Sequence, residues 1–245
     1  MTTKTEQARL FFEAPERYLD KREFDIRLRA ETVQEFTRGR AFDRILDIGC
    51  GNGSISLPLL TPQRRLTLLD ISSNMLATAR GKIPPDLMNN VELVNESFMT
   101  VRLEPSTYDL VLCIGVLAHV DSPADVIQRV AGVLKPGGFA ILEFTDSYHF
   151  MGRAVVLYHR LLNGFRPSTY SLNHIRERDI VQTCCKYELK ASAFYRYCLP
   201  PPGSHRLFGQ ETLYRVTRMV FGPLNRNRSK WLGNQFIYRL ERQVC

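Results

Sequence analysis

Short apolar runs alternate with segments of helical periodicity along the first 150 residues of the chain. Residues 1–40 carry apolar side chains at roughly helical spacing among charged ones, and Gly39 can end that helix. Runs that predict strands lie at 45–48, 66–69, 91–94, 110–114 and 139–144, each preceded by a segment that can be helical. This alternation predicts βαβ units and therefore an α/β fold with a mostly parallel sheet flanked by helices.

The pattern changes beyond Thr145. An apolar stripe at 155–162 predicts a helix that ends at Asn163 and Gly164. Further helices are predicted at 175–184 and 210–221, strands at 187–197 and 234–240, and stiff or turning segments at 135–138 and 200–203. The carboxyl-terminal part therefore continues the sheet with a different arrangement of elements.

Length and composition narrow the class of protein. The 245 residues suit one large domain or a domain with an added lobe, and 44% hydrophobic and 24% charged residues are ordinary globular values. The longest apolar run, at 111–118, is less than half of the roughly 20 residues that a membrane helix needs. Residues 1–10 are polar and do not resemble a secretory signal, so we expect a cytoplasmic protein without a transmembrane segment.

Cysteine and histidine spacing gives no metal or disulfide pattern. The six cysteines include an adjacent pair, Cys184 and Cys185, and no CxxC spacing, so we expect reduced thiols. The five histidines are scattered, with no HExxH motif and no carboxylate cluster beside them. We therefore expect no metal site.

The positive charge is concentrated in the carboxyl-terminal part. Residues 1–150 hold 17 Lys/Arg against 20 Asp/Glu, whereas residues 151–245 hold 16 against 5. A basic region of this kind suits an acidic ligand, an anionic membrane surface or nucleic acid, and it is equally explained as a solvated surface.

A glycine loop at the end of the first predicted strand is the most informative motif. Gly49, Gly51 and Gly53 form a GxGxG spacing, with Ser54 at the third glycine position of the dinucleotide fingerprint, and we expect a helix to follow through Leu60. The loop therefore suits a ligand without phosphates. Asp70 ends the next strand, 21 residues after Gly49, where an acid accepts hydrogen bonds from ribose hydroxyls. Together they predict an adenosine-containing ligand.

The stretch from 40 to 150 resembles the class I S-adenosylmethionine-dependent methyltransferases. Leu46-Asp47-Ile48-Gly49-Cys50-Gly51-Asn52-Gly53 is similar to motif I, and Asp70 to the ribose-binding acid. Matching segments follow in order at 108–113, 115–120 and 134–138. The resemblance implies a Rossmann-like, seven-stranded sheet with an antiparallel last strand, and S-adenosylmethionine as the cofactor.

The resemblance also implies a division of the chain. We expect a helical lid at 1–40 and a class I methyltransferase domain at 41–245. The domain would comprise a cofactor-binding half at about 41–146, a substrate-side insert at about 147–205, and a last helix and strand at about 206–245. Its length is typical of a single domain.

Twelve residues are expected at the cofactor. They are Asp47, Gly49, Cys50, Gly51, Gly53, Asp70, Ile71, Met75, Ser97, Phe98, Cys113 and, from the lid, Tyr18. Ser97 stands where the family usually has an acid that meets the adenine amino group, and the Phe98 ring can stack on the base. Met75 either covers one adenine face or belongs to a helix core.

Three residues are candidates for the catalytic base. His119 follows the fourth predicted strand, at the sheet edge where ligands bind in open α/β folds, and it can equally cap or pack a helix. His149 and Tyr148 follow the fifth strand and face the same edge.

The acceptor predicted from these features is a small molecule. No Asn-Pro-Pro-Tyr or Asp-Pro-Pro-Tyr motif follows Cys113, and no Pro-Cys pair is present, whereas the resemblance would require these of most nucleobase methyltransferases. We expect methyl transfer to an oxygen or nitrogen of a partly apolar metabolite. The alternatives are an RNA methyltransferase that uses the basic part, and a non-catalytic protein that binds the cofactor or docks on anionic membrane.

Overall fold

The computed structural model describes residues 4–13, 15–154, 157, 173–200 and 204–243, except for the side chains of residues 5, 11, 12, 15–21, 205 and 206. The strands are β1 (Arg44–Ile48), β2 (Arg65–Leu69), β3 (Val91–Val94), β4 (Tyr108–Cys113), β5 (Leu134–Thr145), β6 (Leu189–Tyr197) and β7 (Gln235–Arg242). They form one sheet of order β3-β2-β1-β4-β5-β7-β6.

The strand directions agree with the expected class. β1 to β5 pair in parallel, and β7 runs antiparallel to both β5 and β6. The predicted Rossmann-like, seven-stranded α/β fold with an antiparallel last strand is confirmed. Because β1 and β4 are adjacent and β2 and β5 flank them, the carboxyl ends of these four strands meet at one edge, which is where ligands bind in such folds.

The helices cover both faces of the sheet. They are α1 (Lys4–Phe12), α2 (Pro15–Thr37), α3 (Ser73–Arg80), α4 (Pro123–Val133), α5 (Glu177–Lys186), α6 (Ser204–Leu207) and α7 (Gln210–Phe221), with 3-10 turns at Leu57–Leu59, Pro85–Asn90, Leu224–Arg226 and Lys230–Leu232. Serine side chains cap two of them: Ser72 accepts from the Met75 amide and Ser122 from the Asp125 amide, both at 3.2 Å.

Alternating strand residues build two apolar layers. Leu46, Val111 and Leu142 pack with α4 on one face of the sheet. Ile45 and Leu112 pack with α2 on the other face. A β-strand sends successive side chains to opposite faces, so strands buried on both sides appear in the sequence as unbroken apolar runs.

Three local expectations were wrong. Residues 1–40 hold two helices because Pro15 lacks the N–H that a continuing helix needs and instead begins α2. The glycine loop leads into a 3-10 turn at Leu57–Leu59 rather than a helix through Leu60, since Pro58 and β-branched Ile55 disfavour a regular helix there. No described helix precedes β4 within 95–107.

The predicted turn at 135–138 lies inside β5. Leu134 pairs with Tyr108 and Phe139 with Leu110, so the intervening residues of β5 bulge out of register. Gly137 has φ +78°, and a Cβ on Gly138 would lie 3.0 Å from the Asp109 carbonyl oxygen. The two glycines therefore permit the bulge, and strand β5 begins before it.

Candidate active site

The loop after β1 is held by backbone hydrogen bonds to the end of β2. The amides of Gly49 and Cys50 donate to the Leu69 carbonyl at 2.8 and 3.1 Å. Gly49 has φ +63°, and a Cβ on it would lie 2.5 Å from Val116 Cγ2. Only glycine fits this position without displacing Val116, so the loop backbone is itself the wall of the site.

Asp70 connects this loop to the helix that follows β2. Its Oδ2 accepts the Gly51 amide at 2.8 Å, and its Oδ1 accepts the Ser72 amide at 2.9 Å. The carboxyl is buried, which raises its pKa, while the backbone donors oppose that rise. Each oxygen retains a lone pair, so Asp70 can hold the loop and still accept a ligand hydroxyl.

Asp47 is a second buried acid beneath the loop. It is 2% exposed, and its Oδ2 has no hydrogen-bond partner in the described part of the chain. Burial, together with the charge of Asp70, raises the pKa of Asp47 to about 7. Neither acid forms a salt bridge with a described residue. Two buried acids without a cation make the site complementary to a positively charged ligand.

A cavity of about 140 Å³ opens beside the loop. Seven residues expected at the cofactor line it: Gly49, Gly51, Asp70, Ile71, Met75, Ser97 and Phe98. The candidate base His119 lines it as well. Residues that the sequence did not single out complete the wall: Ala8, Ile48, Leu69, Met99, Ile114, Gly115, Val116, Val120 and Val126. Their position after β1, β2 and β4 is the signal that could have identified most of them.

Four expected cofactor residues do not line this cavity. Asp47 lies beneath the loop, and Cys50 and Cys113 are buried in the two apolar layers, where burial raises the pKa of both thiols. A Cβ on Gly53 would meet Leu57 Cδ1 at 2.7 Å, so this glycine serves the loop turn. The side chain of Tyr18 lies outside the described residues. The roles of these residues remain predictions.

Met75 belongs to a helix core, and its contact with an adenine face stays a prediction. It is 2% exposed as part of the α3 core, and it also lines the cavity. Ser97 and Phe98 lie in the same wall, where the Ser97 Oγ accepts the Met99 amide at 3.3 Å. The guanidinium of Arg129 lies 5.2 Å from the centre of the Phe98 ring.

His119 is half-buried in the cavity wall. Burial lowers the pKa of its imidazole to about 4, and the positive charges of Arg29 and Arg22 act in the same direction. The imidazole is therefore neutral near pH 7 and can accept a hydrogen bond from a ligand. A pKa this low also makes it a weak base.

The other two base candidates do not line the cavity. The amides of Tyr148 and His149 donate to Asp146 Oδ1 at 2.8 and 3.0 Å, which holds a turn after β5. His149 Nε2 lies 3.0 Å from the Trp231 carbonyl oxygen. The Arg176 guanidinium covers the Tyr148 ring at 4.0 Å.

A buried charged cluster behind the cavity was missed. Glu143 Oε1 on β5 accepts Arg29 Nε and the Tyr197 hydroxyl, both at 2.8 Å. The Tyr197 hydroxyl also lies 2.9 Å from Asp25 Oδ1, and Arg29 Nη1 lies 3.3 Å from Asp25 Oδ2. A glutamate inside the apolar run 139–144 was the available signal, because a charge is rarely buried without a partner.

The described residues offer neither a metal centre nor a membrane helix. No group of three or more His, Cys, Asp or Glu side chains in the described ranges is placed to hold a metal. Across those same ranges, every helix is too short or too polar to cross a bilayer.

Known proteins resemble this chain in sequence. Residues 46–142 match a family described as a methyltransferase domain. A ubiquinone biosynthesis O-methyltransferase of Vibrio cholerae serotype O1 (strain M66-2) is 34% identical over 166 residues, 63% of this chain and 64% of that protein. Its namesake in Burkholderia multivorans is 34% identical over 101 residues, 41% and 43% of the two chains. The chain thus spans less than two thirds of these curated relatives.

Solved structures share the whole fold. A magnesium protoporphyrin IX methyltransferase from Synechocystis, solved with bound S-adenosylhomocysteine, superposes with a TM-score of 0.67 at 16% identity, covering 98% of this chain and 100% of the other. A methyltransferase from Thermotoga maritima gives 0.65 at 16% identity, covering 93% and 94%. Residues 46–142 therefore belong to the methyltransferase domain family, and the chain as a whole has the fold of the S-adenosylmethionine-dependent methyltransferases. The resemblance found in its sequence is confirmed.

The site of this methyltransferase fits S-adenosylmethionine. The cofactor carries a sulfonium and an ammonium, and the site offers two buried acids without a cation, one with a partnerless oxygen. With the cofactor bound, Asp70 would be the acceptor for a ribose hydroxyl, because it lines the cavity together with Gly49 and Gly51. Met75 and Phe98 line the same cavity and would form an apolar wall for the adenine ring.

Proposed function

We propose that this protein transfers the methyl group of S-adenosylmethionine to an oxygen of a small, partly apolar metabolite. The cofactor supplies an electrophilic methyl group on a sulfonium. The glycine loop, Asp70, Met75 and Phe98 would hold the cofactor, because they line the same cavity. The observation that carries the proposal is the pair of buried acids, Asp47 and Asp70, beside a glycine loop that needs its positive φ angles.

The acceptor would bind on the His119 side of the cavity. Gly115, Val116, Val120 and the imidazole of His119 form this wall after β4. The wall is mostly apolar with few polar groups, which favours a partly apolar metabolite over a polyanion. The curated relatives are named O-methyltransferases, which supports an oxygen acceptor. Positioning and exclusion of water would supply most of the rate.

Helix α1 would act as the lid over this site. Ala8 is 3% exposed and lines the cavity. The Lys4 amide donates to Asp121 Oδ1 at 3.1 Å, and the Glu13 carbonyl accepts Asn74 Nδ2 at 2.9 Å. The cavity of about 140 Å³ is smaller than the roughly 300 Å³ of ordinary ligand pockets. We infer that α1 moves outward when the cofactor enters.

Calorimetry and labelled transfer test the proposal. The wild-type protein should bind S-adenosylmethionine, and Asp70→Ala should weaken binding by about 1–3 kcal/mol through lost hydrogen bonds. Asp86→Ala, at an exposed acid of a 3-10 turn, is the matched control and should bind as the wild type does. Incubation with methyl-labelled cofactor and a metabolite extract should label one small molecule. Absence of binding and of labelling would refute the proposal.

A second function, docking on an anionic membrane, is favoured by an exposed aromatic and basic surface. Phe150 and Trp231 stack at 6.0 Å and are 50% and 64% exposed. Arg226, Arg228 and Lys230 line an open groove nearby. Aromatic rings and basic side chains are the groups that bind a lipid interface. The protein should co-sediment with phosphatidylserine vesicles, and Trp231→Ala should reduce the bound fraction; equal sedimentation with neutral vesicles would argue against it.

A further inference from the structure

Glu143 has an unsatisfied oxygen in the interior of the protein. The residue is 2% exposed, and its Oε1 is saturated by Arg29 Nε and the Tyr197 hydroxyl. Its Oε2 is buried and has no hydrogen-bond partner in the part of the chain that the structure describes. A buried carboxylate oxygen without a partner is costly, so a structure that keeps one calls for an explanation.

The free oxygen lies directly behind the wall of the cavity. Gly115 lines the cavity and has φ +75°. A Cβ built on Gly115 would lie 3.8 Å from Glu143 Oε2 and 3.9 Å from Arg29 Nη1. Glu143 itself does not line the cavity, and its Oε2 is buried behind Gly115. Because Gly115 has no side chain, room for a methyl-sized group remains between Oε2 and this part of the cavity wall.

We propose that Glu143 is the catalytic residue that binds the acceptor hydroxyl. Glu143 Oε2 accepts the hydrogen bond of that hydroxyl beside Gly115. As the acceptor oxygen forms its bond to the methyl carbon, the carbon–sulfur bond breaks, its electron pair remains on sulfur, and the hydroxyl proton passes to Oε2. This role rests on the proposed methyl transfer.

The charges around Glu143 suit this role. Burial raises its pKa; the positive charge of Arg29 opposes the rise, and the charge of Asp25 adds to it. The other groups that face the cluster are Arg22 from α2, Tyr197 from β6 and His119 after β4. A raised pKa makes Glu143 a stronger base than a surface carboxylate, whereas burial makes His119 a weaker one than usual.

A purely structural role is the alternative to be excluded. In that case, Glu143 would only hold α2 against the sheet through Arg29. Glu31 provides the matched control because it also anchors α2 through a tyrosine and an arginine: its Oε2 accepts the Tyr214 hydroxyl at 2.5 Å and Arg218 Nη2 at 2.8 Å. Neither glutamate lines the cavity, but Glu143 Oε2 lies behind the lining residue Gly115, whereas these partners of Glu31 are not lining residues.

The experiment compares Glu143→Gln with Glu31→Gln, using the acceptor found in the labelled extract. Glu143→Gln should lower kcat by about 10²- to 10⁴-fold while S-adenosylhomocysteine binds within about threefold of wild type in calorimetry. It should also weaken binding of the acceptor to the S-adenosylhomocysteine complex by about tenfold, consistent with loss of a charged hydrogen bond. Glu31→Gln should lower the melting temperature and leave kcat unchanged.

A second variant protects the test against misfolding. Gly115→Ala fills the space beside Oε2 and should reproduce the loss of kcat. The control is Gly39→Ala, because Gly39 has φ +72° and a Cβ there would have nothing within 4 Å. This variant imposes a similar backbone strain far from Glu143 in the sequence and should keep the wild-type kcat. If the wild type methylates the acceptor and both Glu143→Gln and Glu31→Gln keep the wild-type kcat, Glu143 has only the structural role. If the wild type binds the cofactor and labels nothing, the proposed function fails, and this inference fails with it.

Discussion

Two buried acids of this methyltransferase, Asp47 beneath the glycine loop and Glu143 on β5, each keep one oxygen without a described partner. Their surroundings differ. The charge of another acid, Asp70, acts on Asp47, whereas Glu143 is ion-paired with Arg29. The first arrangement stabilises a bound cation, and the second holds a proton acceptor whose charge is already balanced.

The two regions also differ in how they are held. The loop depends on backbone hydrogen bonds to β2 and on glycines that no other residue can replace locally. The cluster depends on side chains from α2, β5 and β6 that meet only when the sheet is complete. Substitutions should therefore affect cofactor binding in the first region. In the second region they should affect the stability of α2 and, at Glu143, also kcat.

The largest effect should come from removing the cation of the cluster. Arg29→Ala leaves Asp25 and Glu143 buried without their shared partner, so we expect a loss of about 3–5 kcal/mol in the free energy of unfolding. Denaturant titration measures it. The control is Arg27→Ala two positions earlier, whose side chain is 50% exposed, and it should cost less than about 1 kcal/mol. Equal losses would show that the cluster is not charge-balanced by Arg29.

The next effect should come from the glycine loop. Gly49→Ala places a Cβ 2.5 Å from Val116 Cγ2 at a positive φ, so we expect destabilisation of about 1–3 kcal/mol and at least a tenfold loss of cofactor affinity. Calorimetry with S-adenosylhomocysteine and thermal melting measure both quantities. Gly39→Ala controls for the backbone strain alone. If Gly49→Ala retains affinity, the loop is not the wall of the site.

A smaller effect should appear in the pH dependence of cofactor affinity. The pKa of Asp47 is about 7 in the free protein, and a bound cation favours its ionised form. Binding at pH 6 should release a proton, and affinity should rise as the pH increases toward 7, by at most tenfold per pH unit, or about 1.4 kcal/mol. Calorimetry in buffers of different ionisation enthalpy detects the proton. Asp47→Asn should abolish the proton release. If the release persists in this variant, the proton comes from another group.

The smallest effect should come from His119. Its folded-state pKa of about 4 lies below the ordinary value near 6.5, so the unfolded chain binds more protons between these values and stability rises with pH across this window. Because the ring is partly exposed, we expect about 1 kcal/mol. His119→Asn should flatten that rise in denaturant titrations between pH 4.5 and 7. Unchanged pH dependence would exclude a buried, neutral imidazole.

Much of the cofactor half could be read from local patterns. The strand at 91–94 and the helix at 210–221 agree with their predicted bounds, because unbroken apolar runs and helical periodicity report burial directly. Gly49, Gly51 and Asp70 could be placed together because each follows a parallel strand, and parallel strands end at the same edge. The prediction of a helix through Leu60 was wrong, because Pro58 disfavours a regular helix even where the apolar pattern suits one.

The sequence by itself determined the fold class, the glycine loop and its acidic partner, because strand burial and backbone conformation are encoded within a few neighbouring residues. Only the tertiary structure decided which side chains share a wall of the cavity. Tyr197 and Asp25 lie 172 positions apart and are joined by a hydrogen bond. His149 does not line the cavity, whereas Gly115 does and lies beside Glu143 Oε2. Such contacts depend on strand order and on the packing of α2 against the sheet, and the free energy of a buried charge is set by those distant neighbours.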